Sequence, residues 1–293
     1  MVTRTRSTPP VAMSVAGSDS GGGAGIAADL RAFAALGVQG TIAIAAVTAQ
    51  STTEVRRSWP LSPEQIAEQV RTVADDLPLA AAKTGMLATS ANVAMVAELV
   101  RDGVLPPPVV DPVLVASSGA ALLDEDAIDT YRRVLLPVAA ACTPNLPEAE
   151  RLSGLAIASL DDAFRAARAI ATLGPAVVVV KGGHRPLDPA RPDLAVDAAI
   201  IDGVERVLSS PRVDTQNNHG TGCTFSAALA GARALGLDWL GALETAKHFV
   251  TEAVLGAASW KLGHGHGPLD QLAWCRLDDA AGTTGAVPDA GSR

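Results

Sequence analysis

The sequence predicts an α/β fold whose sheet is mostly parallel and covered by helices on both faces. Three observations carry that expectation. Short β-rich runs alternate with helical stretches along most of the chain. Some of those runs, AVVVVK above all, are apolar throughout, which suits strands buried on both sides. Hydrophobic residues make up 48% of 293 residues and aromatics only 3%, so a sizeable core is expected, built from Ala, Val, Leu and Ile.

Taken in order, VAMSVAG (11–17) reads as a first strand and GIAADLRAFAALG as a helix closed by Gly37. TIAIAAVTAQ (41–50) reads as one apolar strand, and PEQIAEQVRTVADDL (63–77) as a helix. AAAKTGML holds a short strand, NVAMVAELVRDG a helix and PPVVDPVLV another strand. AACTPNLPEAERLSG reads as strand, turn and short helix. DDAFRAARAIATLG is helical and leads into the strand AVVVVKGGH (176–184). VDAAIIDGVERVLSS suggests a hairpin, and helices at about 221–235 and 238–256 close the fold. One domain over 10–276 is expected, with 1–9 and the small, turn-rich stretch 277–293 disordered.

The bulk numbers exclude several classes. A net charge of -8 and a pI near 5.1 lack the basic footprint of a nucleic-acid partner. Long-range steering would repel anions, so any phosphate site must be local. Cys142, Cys223 and Cys275 are odd in number, far apart and form no C-x-x-C pair, which argues against structural zinc or disulfides and for a reducing cytoplasm. No apolar run approaches the roughly 18 residues of a membrane span. The start MVTRTRSTPPVAMSVAGS has a basic head and an apolar stretch like a signal peptide, but its proline pair interrupts that pattern.

In open parallel sheets ligands gather at the carboxyl ends of strands. GSDSGGGAG, TAQSTTE, KTGM, DPV, TPNLPEAE and KGGH each follow a strand, so they share one edge. GSDSGGGAG imitates a dinucleotide fingerprint, yet no acid stands about 20 positions on, where AAVTAQ occurs. It suits close backbone approach to a flat ligand, or a plain turn with Asp29 one helical turn further on.

GTGCTFS is a second glycine-rich helix start. Its first N–H groups have no helical partner, and Gly220 and Gly222 let an anion approach them. A helix start also lowers the pKa of a thiol such as Cys223. No Walker loop occurs. Asp111 in VVDPV, with Asn145 and Glu148 in TPNLPEAE, suits Mg²⁺ beside phosphate. Lys181 ends an apolar strand and could meet phosphate. Taken singly, each also has a plain structural reading as a strand end or helix cap. His264 and His266 form an H-x-H pair with no third ligand nearby in sequence.

Together these motifs resemble, in order, the signatures of the hydroxymethylpyrimidine/phosphomethylpyrimidine kinases, a ribokinase-like family of thiamine biosynthesis. The resemblance runs from about residue 12 to 260, and its specificity lies in the order and spacing of the motifs. HGTGC carries cysteine where sugar kinases usually carry aspartate. The first helix has Ala27 or Ala28 where relatives often place a glutamine, and the segment from 185 to 203 is proline-rich where the family has a variable flap.

The resemblance implies a ribokinase-like three-layer sandwich and an ATP- and Mg²⁺-dependent phosphotransferase. The reaction implied converts 4-amino-5-hydroxymethyl-2-methylpyrimidine to its monophosphate and then to the diphosphate. It implies that Gln50, Gly17, Asp29 and Met86 line the pyrimidine pocket. Asn145 and Lys181 would meet the ATP phosphates, and Asp111 and Glu148 the metal. Gly220, Thr221, Gly222 and Cys223 would form the anion hole and its catalytic end. Small molecules are then the partners, with no nucleic acid or membrane, and the family suggests a homodimer. Pyridoxal kinase is the neighbouring alternative. A non-catalytic pyrimidine sensor is the alternative from another class.

Overall fold

The structure is a computed structural model that describes residues 8–114, 125–183 and 185–282. Most of the expected 1–9 tail, His184 of the KGGH motif and the end of the chain from 283 lie outside the described residues.

The chain alternates strand and helix as expected. It runs through β1 (Val11–Ala16), α1 (Gly25–Ala35), β2 (Gln39–Ile44), β3 (Ala46–Gln50), β4 (Val55–Pro60), α2 (Pro63–Ala74), β5 (Leu79–Thr84) and α3 (Ser90–Arg101). After β6 (Val109–Val110) come α4 (Glu125–Thr130), β7 (Ala141–Cys142), α5 (Leu146–Ser153), α6 (Leu160–Ala171) and β8 (Val177–Lys181). The hairpin β9 (Leu194–Ile201) and β10 (Val204–Pro211) precedes α7 (Thr221–Ala234), α8 (Trp239–Ala257) and α9 (Ala273–Gly282).

Among the described residues, eight strands form the main sheet in the order β10-β9-β8-β7-β6-β5-β1-β2. From β2 to β8 all pairings are parallel; β9 and β10 add on antiparallel. Alternation along β8 explains its unbroken apolar run. Val178 and Val180 join the core beneath α2, α3, α5 and α6, while Val177 and Val179 join the core beneath α1, α7 and α8. The result is a three-layer sandwich, as the sequence predicts.

Three details differ from the sequence reading. The stretch 41–50 is two strands, because the chain bends at Ala45 and leaves the main sheet. Its second half pairs antiparallel with β4 in a separate two-stranded ribbon. Around Asp111 the strand is only Val109–Val110, since Pro112 cannot extend the ladder. Finally, α9 runs from Ala273 to Gly282 and so covers the first part of the stretch expected to be disordered from 277.

Candidate active site

A cavity of about 560 Å³ opens at the carboxyl edge of the parallel strands. Its anion end is built at the start of α7. Gly220 caps that helix in the left-handed conformation, φ 86°, and no side chain satisfies the first turn. A methyl group at Gly220 would overlap the Gly23 carbonyl, so only glycine brings the two glycine-rich loops this close.

Against the first turn stands an ion pair. Lys181 Nζ donates to Asp111 Oδ1 at 2.9 Å, and a methyl group on Gly222 would lie 3.1 Å from that Nζ. β8 delivers Lys181 and the end of β6 delivers Asp111. Burial would lower the pKa of Lys181, but Asp111 and Glu148 raise it, so the ammonium stays charged. Asn145 caps α5: its Oδ1 accepts from the Glu148 N–H at 2.9 Å, and Glu148 Oε2 accepts from the Asn145 N–H at 2.8 Å. Burial pushes the Glu148 carboxyl up to about 7; Lys181 opposes that and Asp111 adds to it.

Two carboxylates, Asp111 and Glu148, line the same cavity beside one lysine, Lys181. That fits a hard cation bound by Asp111 and Glu148. No group of three His, Cys, Asp or Glu gathers among the described residues, so nucleotide oxygens and waters would complete its shell. His266 instead pairs its Nδ1 with Asn218 Oδ1 at 2.9 Å.

At the other end the walls are Gly17, Met86, Gln50 and Val113. A methyl group at Gly17 would overlap the Met86 side chain, so the glycine makes room for that wall. Cys223 is half-buried and also lines the cavity.

The profile described as phosphomethylpyrimidine kinase matches residues 19–270, most of the chain. The chain belongs to the phosphomethylpyrimidine kinase family. It is 42% identical over 265 residues to the hydroxymethylpyrimidine/phosphomethylpyrimidine kinase of Bacillus subtilis (strain 168), covering 90% of this chain and 96% of that protein. Among solved structures it is similar to the phosphomethylpyrimidine kinase of Clostridium difficile 630, with TM-score 0.73, 35% identity and coverage of 84% and 99%. It is also similar to the pyridoxal kinase of Staphylococcus aureus in complex with AMP-PCP and pyridoxal, with TM-score 0.82, 32% identity and coverage of 92% and 96%. The three-layer fold is thus the ribokinase-like one.

Of the residues singled out from sequence, eleven line this cavity: Gly17, Gln50, Met86, Asp111, Asn145, Glu148, Lys181, Gly220, Thr221, Gly222 and Cys223. Asp29 is the correction. It is fully buried behind the cavity wall, accepts from Ser14 Oγ at 2.6 Å and pairs with Lys83 Nζ at 2.8 Å. An acid one turn into a helix could face either way, and an internal lysine draws this one inward. The Cys223 thiol is a second correction. Burial outweighs Lys83 and pushes it up to about 12, not down as a bare helix start would.

Family motifs alone had not given roles to Lys83, Asp19, His219, Lys247 or Asp197. Burial would lower Lys83, but Asp29, Cys223 and Asp111 together hold it above the ordinary lysine range. Lys247 on α8 pairs with Asp197 on β9 at 2.7 Å, and both line the cavity. A charged residue inside an apolar helix was the available signal for Lys247, and KTGM was the signal for Lys83.

Proposed function

We propose that the chain transfers the γ-phosphoryl group of ATP to the hydroxymethyl oxygen of 4-amino-5-hydroxymethyl-2-methylpyrimidine, and then phosphorylates the resulting monophosphate. One observation carries this reading. A helix start with no side-chain cap, set beside Lys181, and the Gln50 amide, which offers both a donor and an acceptor, line one cavity together with Cys223. The names of the 42% identical relative and of the C. difficile structure support it.

Phosphoryl transfer needs placement and charge neutralisation more than covalent help. The N–H groups of Gly222 and Cys223 face the transferring group from the start of α7 and hold negative charge as it develops. Lys181, kept protonated by Asp111, neutralises phosphate oxygens. Asp111 and Glu148 would hold Mg²⁺, which would supply further charge neutralisation on the nucleotide. Gln50 and Met86 orient the ring. A thiol pushed up to about 12 holds its proton at neutral pH, so Cys223 positions the hydroxyl by a hydrogen bond and is not a resting thiolate base.

The decisive test is ADP release with Mg²⁺ATP and the hydroxymethylpyrimidine. Turnover to mono- and then diphosphate supports the reading; saturating ligand binding without ADP favours a pyrimidine sensor. The fold likeness to the S. aureus pyridoxal kinase favours one second reading, a pyridoxal kinase. Comparing kcat/KM for the two rings separates them: a pyrimidine enzyme prefers the aminopyrimidine by about tenfold or more.

A further inference from the structure

His219 belongs to neither the anion hole nor the cation pair, yet it touches three parts of the site. Its ring lies against the Gly23 backbone, where a methyl group would overlap it. Its backbone N–H donates to the Gly267 carbonyl at 3.0 Å, which fixes the chain beside the start of α7. Its Nε2 lies 2.9 Å from Asp19 Oδ2 and 3.1 Å from the Gln50 Nε2 position.

The protonation of this contact follows from its partners. Burial works to raise Asp19, but the hydrogen bond and charge of His219, with the N–H groups of Ala24 and Gly21, hold its carboxyl below the usual range. Asp19 is therefore ionised. Its Oδ2 already accepts from Gly23 and Ala24 at 2.9 Å each. An ionised carboxylate only accepts, so the imidazole Nε2 must carry a hydrogen. That N–H cannot accept from an amide NH₂. A half-turn of the Gln50 amide exchanges its two ends and brings Oε1 to the shared N–H. The NH₂ group is then the end offered to a ligand, while Oε1 keeps a second lone pair.

We propose that His219 is a positioning residue that fixes the polarity of the Gln50 amide, so that the cavity selects a ring edge pairing an acceptor nitrogen with an exocyclic amine. Asp19 keeps the proton on Nε2, that N–H holds the Gln50 amide, and Gln50 reads the ring. This rests on the aminopyrimidine reading above. Without the Nε2–H the amide turns freely, and a ring with the reversed donor–acceptor pattern is accepted nearly as well.

The test compares 4-amino-5-hydroxymethyl-2-methylpyrimidine with its 4-oxo analogue, whose edge reverses the pattern. Each ring is measured by calorimetric binding and by kcat/KM, in the wild type, His219→Leu, His219→Gln and Asp19→Asn. The wild type should favour the amino ring by about 100-fold. In His219→Leu that preference should fall by about tenfold or more, with KM for ATP changing by less than about threefold. His219→Gln keeps an N–H donor and should retain most of the preference; Asp19→Asn should lose it. A lower activity with an unchanged preference in both His219→Leu and Asp19→Asn overturns the proposal and leaves a purely structural histidine. If His219→Leu fails to fold, Asp19→Asn decides alone. Binding with the expected preference but no phosphorylation removes the kinase reading and supports the proposal. A wild type that binds both rings equally, or neither, overturns it.

Discussion

Glu148 carries two demands that oppose each other. As part of the α5 cap it is drawn inward, and as a carboxylate there it must shed water. Burial pushes the folded carboxyl up to about 7, against 4.5 for an ordinary glutamate. The folded state therefore binds that proton more tightly than the unfolded chain does. The stabilisation this gives is fully present below about pH 4.5 and is lost as pH rises through about 7. In ligand-free protein, urea titrations should show the stability difference shifting toward Glu148→Gln by about 1–3 kcal/mol from pH 5 to pH 8. Saturating Mg²⁺ATP should remove that drift. For Cys223→Ala, steady-state kinetics should give a rate of first phosphorylation lower by about tenfold or more, with unchanged circular dichroism. An unchanged rate would remove Cys223 from the chemistry. At this scale the sequence was informative wherever a charge interrupts an apolar strand end, as at Asp111 and Lys181. It was silent on direction: nothing in GIAADL says that Asp29 turns inward to a lysine 54 positions away.

Among the elements, α5 is short and depends on its cap. Asn145 and Glu148 exchange reciprocal hydrogen bonds with each other's N–H groups, and Pro147 sits inside the first turn. Asn145→Ala should cost about 1 kcal/mol and lower the melting temperature by a few degrees. It should also raise KM for Mg²⁺ATP, because the cap holds Glu148 beside Asp111; a fall in melting temperature with KM unmoved would separate the helix from the site. The signature of this cap, N-L-P-E, was legible in the sequence. The ribbon of β3 and β4 was not. VRRSWP carries two arginines and exposes Trp59, so it lacks the alternation of a half-buried strand. The bend at Ala45 joins two runs of small apolar residues, and composition does not change across it.

For the molecule as a whole, the Asp29–Lys83 pair ties α1 to β5, and Ser14 adds β1 to the same hydrogen-bonded group. Both charged side chains are fully enclosed. Lys83→Met should cost about 3–5 kcal/mol in chemical denaturation, because it strands a buried carboxylate. Asp29→Leu with Lys83→Met should recover most of that loss; if the double variant is as unstable as the single one, packing and not charge sets the cost. The layered architecture was the most legible part, since alternation of apolar strands with amphipathic helices leaves few arrangements. The internal ion pair escaped because its partners are joined only through the sheet. The contact of Gly220 with the Gly23 carbonyl has a consequence for descent. At that contact the two glycine-rich loops lie backbone to backbone, and beside it His219 of one loop packs on Gly23 and pairs with Asp19 of the other. Neither can be lengthened or exchanged with a relative's loop alone. They should be inherited together, and chimaeras that swap only one should fold poorly while those that swap both remain active.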